Sequence, residues 1–241
     1  MGAPRKFMLL QIRNPEDRMR QQEVRSFSRA LHCNLAQIVT FDLLTNSLDR
    51  QELSACDMVV IGGSGDYSAA GEGAWLERAL DSLRELHELQ KPTFASCWGF
   101  QALARALGGR VIHDPAAAEL GTIELRLTDA GHADPIFGPL GTVFQAQAGH
   151  EDRVVELPAT AVLLASSDKV AQQAYRIEGK PIYATQFHPE LNRDDLLGRL
   201  GAYPTYVQKI AGKTVAEFSQ HCRDTPETEA LLRRFVQHVF A

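Results

Sequence analysis

No apolar run in the 241-residue chain approaches the roughly 18 residues that a membrane-spanning helix needs, which argues against a membrane protein. Cysteine is sparse. The four residues, Cys33, Cys56, Cys97 and Cys222, lie far apart with no CxxC pair, so neither metal-ligand spacing nor a disulfide framework is present. All four are expected to be free thiols in a reducing compartment, with Cys33, Cys56 and Cys222 acting as small buried hydrophobes. Positive charge is in deficit. There are 25 Lys and Arg against 30 Asp and Glu, a net charge of −5, which argues against a nucleic-acid-binding surface. There is no internal repeat, low-complexity tract or Pro/Gly-rich linker, so residues 1–241 read as one domain. No GxxxxGK[ST] sequence occurs, so a P-loop is excluded. The apolar stretch after Met1 to Lys6 is too short for a signal peptide, and Lys6 stands where a myristoylation signal carries Ser or Thr after Gly2. These features predict a cytoplasmic protein.

What is there is a soluble-protein composition, 44% hydrophobic and 23% charged. Short apolar runs alternate with helical patterns, which predicts an α/β fold built on an open, mostly parallel sheet flanked by helices. Strands are expected at Phe7 to Ile12, Gln37 to Phe41, Asp57 to Ile61 and Pro92 to Cys97, with helices at Pro15 to Leu31 and Trp75 to Leu89. Gly62-Gly63-Ser64-Gly65-Asp66 is expected to break the third strand. After Gly108 and Gly109 the pattern changes. Thr122 to Leu127, Ala161 to Ser166 and Gln173 to Ile177 read as further strands, some antiparallel, and Ile182 to Phe187 as a buried one. Residues 192–241 read as helical, with Thr225-Pro226-Glu227 as a cap followed by a first-turn proline.

Cys97 carries the functional signal. An apolar run ends on it, and a helical pattern (Ala102, Leu103, Ala106, Leu107) starts just after it, the layout of a nucleophile on a sharp strand-to-helix turn. Such a position lowers a thiol's pKa, the more so beside an imidazole. Far downstream, Gln186-Phe187-His188-Pro189-Glu190 again ends an apolar run. His188 can share the thiol proton, protonate a leaving amine and activate water. Glu190 falls on the same side of an extended segment and can orient the imidazole, with Pro189 stiffening the pair. In a parallel sheet the Gly62 loop, Cys97 and His188 would all come to carboxyl ends of strands, where ligands bind. The backbone N–H of Trp98 and one in Gly62-Gly63-Ser64 are candidate oxyanion donors.

Each piece has a plainer reading. A lone buried cysteine is more often core than nucleophile. A Gly-Gly loop is usually only a turn and can equally cradle a phosphate. His188 and Glu190 could ligate metal, but no third ligand stands at a sensible spacing, so no metal site and no cofactor is expected. The segment from Leu196 onward, with Tyr203, Pro204 and Tyr206, reads as packing, with a lid or an interface as alternatives.

Taken together, these segments resemble the class I (triad) glutamine amidotransferase family. Its nucleophile motif, Gly-x-Cys-x-Gly-x-Gln, is here Ala95-Ser96-Cys97-Trp98-Gly99-Phe100-Gln101, and Gln186 to Glu190 matches its second motif intact. Gly62-Gly63-Ser64 stands for its Gly-Gly-Pro loop, and His150-Glu151-Asp152-Arg153-Val154-Val155-Glu156-Leu157-Pro158 for its His-x-Asp-x-Val segment. The resemblance covers residues 7–190 and leaves residues 191–241 as a helical extension. It implies a flavodoxin-like fold and hydrolysis of the glutamine side-chain amide, with a γ-glutamyl thioester on Cys97 and His188 and Glu190 completing a triad. It also implies Gly63 and Trp98 as oxyanion donors, and Gly62, Ser64, Gln101, Gly149 and His150 as residues around the substrate, with His150 equally readable as structural. Two residues depart from the pattern. Ala95 replaces the first elbow glycine, and Ser64 replaces the loop proline, which is expected to loosen or reshape the oxyanion strand.

Within the family the chain most resembles the amidotransferase part of GMP synthase and its stand-alone relatives. It lacks the Ser-Gly-Gly-x-Asp-Ser loop of an ATP pyrophosphatase, so the expected partner is a separate synthetase, or none. The alternatives are a γ-glutamyl peptide hydrolase using the same three residues, a non-catalytic regulatory protein on this fold, and a cysteine-dependent hydrolase or chaperone of the wider superfamily. The intact Cys97, His188 and Glu190 disfavour the second, and the Gln-Phe-His-Pro-Glu motif the third. Oligomeric state is not legible.

Overall fold

The computed structural model describes residues 4–241; Gly2, considered above as a lipid acceptor, lies outside them. Phe7–Ile12 (β1) is buried at every position, as a continuous apolar run in a parallel sheet should be. It is joined by Ile38–Asp42 (β2), Met58–Ser64 (β3), Thr93–Ser96 (β4) and Ile182–Thr185 (β11). These five strands pair in parallel in the order β2-β1-β3-β4-β11. Ala174–Ile177 (β10), Ala161–Ser166 (β9), Glu119–Leu127 (β6) and Val143–His150 (β7) continue the same sheet antiparallel, giving nine strands among the described residues. Arg110–His113 (β5) and Asp152–Glu156 (β8) form a separate antiparallel pair.

Alternation along the buried strands splits the core between the two faces. Leu10, Val59 and Ile61 pack with Leu76 and Leu83 of Ala74–Glu88 (α3) and Leu103 of Trp98–Ala106 (α4). Leu9, Val60 and Phe94 pack with Phe27 of Met19–Leu31 (α1) and with Leu231 and Phe235 of Leu231–Val239 (α10). The helix expected from Pro15 begins only at Met19.

The remaining differences from the sequence reading have local causes. The Gly62-Gly63 segment does not break β3. The strand runs on to Ser64, which pairs with Ile12 across a register shift. The Ser64 Oγ accepts the Tyr67 backbone N–H at 2.9 Å and closes the next turn. The strand at Val143–His150 carries no apolar run to announce it, and its eight residues are held by pairing with β6. The C-terminal region is helical as expected: Arg193–Ala202 (α6), Pro204–Ala211 (α7), Val215–Ser219 (α8), Pro226–Glu229 (α9) and α10, with short Arg50–Ser54 (α2) and Asp129–Ala133 (α5) earlier in the chain. The side chain of Asn192 caps α6 by accepting the Asp195 N–H at 2.8 Å. Thr225 makes no such cap; its hydroxyl instead accepts from Gln147 Nε2 at 3.3 Å, while Pro226 does open α9. All four cysteines are free, Cys33 half-buried and the other three buried.

Gly99 shows how tightly α4 lies on the sheet. A Cβ there would stand 2.7 Å from Ile61 Cγ2 and 2.8 Å from Ile61 Cβ. Gly99→Ala is therefore expected to destabilise the protein by about 1–3 kcal/mol, as overpacking of a filled core does. The denaturant midpoint measures it, and an unchanged midpoint would show that α4 can lift off β3 freely.

Candidate active site

Cys97 sits between β4 and α4 with φ 53° and ψ −106°, outside the regions L-residues favour. Its backbone N–H donates to Thr185 O at 2.8 Å, which ties the turn to the end of β11. The strained turn holds the thiol at the first turn of α4, where orphan backbone N–H groups favour negative charge. The Cys97 Sγ lies 3.7 Å from Gly149 O, and a Cβ built at Gly63 would stand 3.8 Å from this sulfur and 3.0 Å from His188 Cε1, so the thiol and the imidazole flank the same point.

His188 comes from the segment after β11. Its backbone N–H donates to Gln147 O at 2.8 Å, which docks it against β7. Its Nδ1 lies 2.7 Å from Glu190 Oε1, and the Glu190 side chain is fully buried. Burial works against the imidazolium, but the charge of Glu190, and then that of Cys97, outweighs it and pushes His188 up to about 9. Burial likewise opposes the Glu190 carboxylate, yet the His188 charge and hydrogen bond, followed by the charge of Arg199, hold it below its ordinary value. The Glu190 backbone oxygen accepts from Arg29 Nη2 at 2.8 Å, which fixes the loop to α1.

The other expected residues divide. A Cβ at Gly63 would stand 3.0 Å from His188 Cε1 and 3.8 Å from Cys97 Sγ, so only glycine leaves the thiol open on this side. Trp98 opens α4, where its N–H has no intrahelical acceptor. Gly63, Ser64, Trp98, Gln101, Gly149 and His150 all line one cavity of about 540 Å³ together with Cys97 and His188. Gly62 does not line it. A Cβ there would collide with the buried Glu23 carboxylate, so this glycine makes room for Glu23 rather than for a ligand. At His150 the geometry favours the structural role. Its Nε2 lies 3.0 Å from Glu119 Oε2 and its Nδ1 3.1 Å from Asp152 O, so both ring nitrogens face protein acceptors.

Gln173 and Glu119 carried no sequence signal, yet they hold the motif residues in place. Gln101 Nε2 donates to Asp152 O at 2.8 Å and to Gln186 Oε1 at 3.1 Å. Gln186 N in turn donates to Gln173 O at 2.8 Å, and Gln173 Nε2 donates to Glu119. A buried chain of polar groups thus fixes Gln101 and His150 relative to each other. Tyr203 and Tyr206 are not plain packing, because both line the cavity from the C-terminal helices. Burial, then the charges of Cys97, Glu151 and Asp152, push the Tyr206 hydroxyl well above its ordinary value. Lys209 of α7 pairs with Glu151 at 2.7 Å, so α7 is tied to the loop after β7. Spacing alone could not have shown this, since the contacts join residues from distant parts of the chain.

Among the described residues no group of three His, Cys, Asp or Glu is placed to hold a metal ion, and no helix is long and apolar enough to cross a membrane.

The chain is similar to known proteins in family model, in sequence and in fold. The family model for glutamine amidotransferase class-I matches residues 21–195. A subunit of the glutamine-hydrolyzing GMP synthase of Methanothermobacter thermautotrophicus is 35% identical over 122 residues, 51% of this chain, and the match spans only 63% of that subunit's length. Gamma-glutamyl peptidase 3 of Arabidopsis thaliana is 30% identical over 188 residues, covering 75% of this chain and 71% of that protein. In fold, the crystal structure of a glutamine amidotransferase from Thermotoga maritima superposes with a TM-score of 0.77 at 19% identity, over 98% of both chains. By its motifs, its nine-stranded sheet and these matches, the chain belongs to the class I glutamine amidotransferase family.

Proposed function

We propose that the chain, acting as one domain, hydrolyses the side-chain amide of L-glutamine through a γ-glutamyl thioester on Cys97. The observation that carries this reading is the convergence, in one cavity, of a thiol on a strained elbow and an imidazole whose other nitrogen lies 2.7 Å from a buried carboxylate. The Cys97 thiolate attacks the amide carbon, and the oxyanion is held by the N–H groups of Gly63 and Trp98. The C–N bond breaks as His188 gives its proton to the leaving nitrogen, and ammonia departs. His188 then takes a proton from water, the hydroxide attacks the thioester, and the C–S bond breaks to give glutamate and the thiolate. Glu190 holds the imidazole by Nδ1–H and balances its charge. Gln101 and the Gly149–His150 backbone are assigned to the substrate's amino-acid end. The ammonia passes to a separate synthetase in the cytoplasm, as expected for a relative of a GMP synthase subunit.

A second reading, hydrolysis of γ-glutamyl peptides, is supported by the cavity. About 540 Å³ is ample for glutamine and falls in the range of sites for larger ligands. Ammonia release from L-glutamine, with amine release from γ-glutamyl dipeptides in parallel, separates the two. Dipeptide turnover alone would replace the first reading by the second, and turnover of neither would favour a regulatory protein or a partner-dependent enzyme.

The pH dependence follows from His188. The thiolate–imidazolium pair needs the protonated ring, so kcat/KM is expected to hold through neutral pH and fall as pH rises through about 9. Stability carries the same sign. Because His188 is raised above its ordinary 6.5, its contribution is fullest below that value and is lost as pH rises through about 9. A base limb near 6.5 would show that Glu190 does not hold the charge.

A further inference from the structure

Arg199 belongs to α6, beyond residue 195 where the family match ends. It is nonetheless buried among the residues around His188. Its Nη2 lies 3.7 Å from Glu190 Oε1, its Nη1 3.4 Å from His188 Nδ1, and its Nε donates to Gln22 Oε1 of α1 at 2.9 Å. An imidazole Nδ1–H and a guanidinium are both donors, so the 3.4 Å approach is not a hydrogen bond in the working tautomer; both groups aim at the Glu190 carboxylate. Glu190 Oε2 and Arg199 Nη2 each lack a hydrogen-bond partner, so the remaining interaction between the two groups is charge against charge.

We infer that Arg199 is a positioning residue of the site: its fixed charge keeps the buried Glu190 ionised whether or not His188 is protonated. The inference rests on the Cys97–His188–Glu190 reading above.

Charge balance gives the reason. With His188 neutral, Glu190 would be a lone anion in a dry interior, where a carboxyl takes up a proton instead. A protonated Glu190 gives Nδ1–H only a neutral acceptor and can turn its own O–H toward Nδ1, so the imidazole loses the charge-assisted bond that leaves Nε2 free to face the thiol. Arg199 cannot give up its charge, so Glu190 and Arg199 sum to zero while His188 and Cys97 are neutral, and the site stays balanced when those two become imidazolium and thiolate.

The other charged groups around Glu190 do not replace Arg199. Arg29 of α1 reaches only the Glu190 backbone oxygen, and its own charge is paired with Asp195 of α6 at 2.6 Å and lies 3.9 Å from Glu229 of α9. Cys97 stands on the far side of His188. The C-terminal extension therefore supplies part of the electrostatic frame of the site, and residues 21–195 alone would lack it.

The test reads Cys97 directly and needs no substrate. Because Cys33 is also free and only half-buried, the rate of iodoacetamide alkylation is read at the Cys97 peptide by mass spectrometry, from acid to alkaline pH, in the wild-type, Arg199→Gln and Arg199→Lys proteins, with folding monitored by circular dichroism. The expected result is an acid limb moved to higher pH by about one unit in Arg199→Gln, because a Glu190 that takes up a proton no longer supports the imidazolium that holds the thiolate. Arg199→Lys, which keeps the charge, should return the limb toward its wild-type position even where thermal stability is not restored. If Arg199→Gln does not fold, Arg199→Met takes its place, since its stem keeps the packing. A limb that coincides with wild type, or one that moves equally in the Lys and the neutral variants, would overturn the inference and leave Arg199 as a tie between α6 and α1. A wild-type profile of a simple thiol, with no depressed limb, would instead overturn the Cys97–His188 reading itself.

Discussion

Cys97→Ala is expected to bring amide hydrolysis down by at least roughly four orders of magnitude while the protein stays folded. Alanine removes the only atom that can form the thioester and leaves the Cβ, so the backbone at φ 53° is no more strained than before. Among the described residues the sulfur's one hydrogen bond to backbone is the long one to Gly149 O at 3.7 Å. Stability should therefore change by less than about 1 kcal/mol. Cys97→Gly gives the complementary control, since glycine tolerates positive φ and should raise stability by about 1 kcal/mol with activity equally absent. Ammonia release and thermal unfolding on the same samples check both, and near wild-type turnover by Cys97→Ala would remove the nucleophile assignment.

Glu190→Gln should cost both rate and stability. The carboxamide can turn its NH₂ toward Nδ1, which selects the tautomer that points a proton at the thiol; a loss of about 10³ to 10⁴ in kcat is the scale for this error. The imidazolium also loses its counter-charge. The base limb of the kcat/KM profile, expected near 9 in the native protein, should move to lower pH, because the anion that raises His188 is gone. Stability should fall by about 3 kcal/mol, since removal of one member of a buried charged group leaves Arg199 uncompensated beside His188. The two effects separate by measuring kcat and KM well below the melting temperature. A variant with full kcat and an unmoved base limb would mean that Glu190 only packs.

The roles of Gly62 and Ser64 show where motif reasoning reaches its edge. Both positions belong to the loop that the sequence assigns to substrate, yet Gly62 is small for the sake of Glu23, which reaches it from α1. Ser64, where the motif carries proline, supplies a hydroxyl that closes a turn by accepting the Tyr67 N–H. A one-dimensional pattern records that a small residue stands there and not which neighbour requires it.

The sequence by itself determined the parallel half of the sheet and its catalytic candidates. Runs such as Phe7 to Ile12 can only be buried on both faces, and the elbow at Cys97 follows from an apolar run meeting a helical pattern. The pairing of His188 with Glu190 is also local, but a turn makes it and not the extended segment expected: Leu191 N–H donates to His188 O at 3.2 Å, and the ring meets the carboxylate within that turn. The tertiary structure decided what completes the site. Glu119 beside His150, Arg199 beside Glu190, and Tyr203 and Tyr206 over the cavity come together only because the antiparallel strands and the C-terminal helices fold back onto the carboxyl ends of β3, β4 and β11. The physical reason is range. Hydrophobic period and turn chemistry act over a few residues, whereas burial of charge is compensated by whatever partner the fold brings near, however distant it is along the chain.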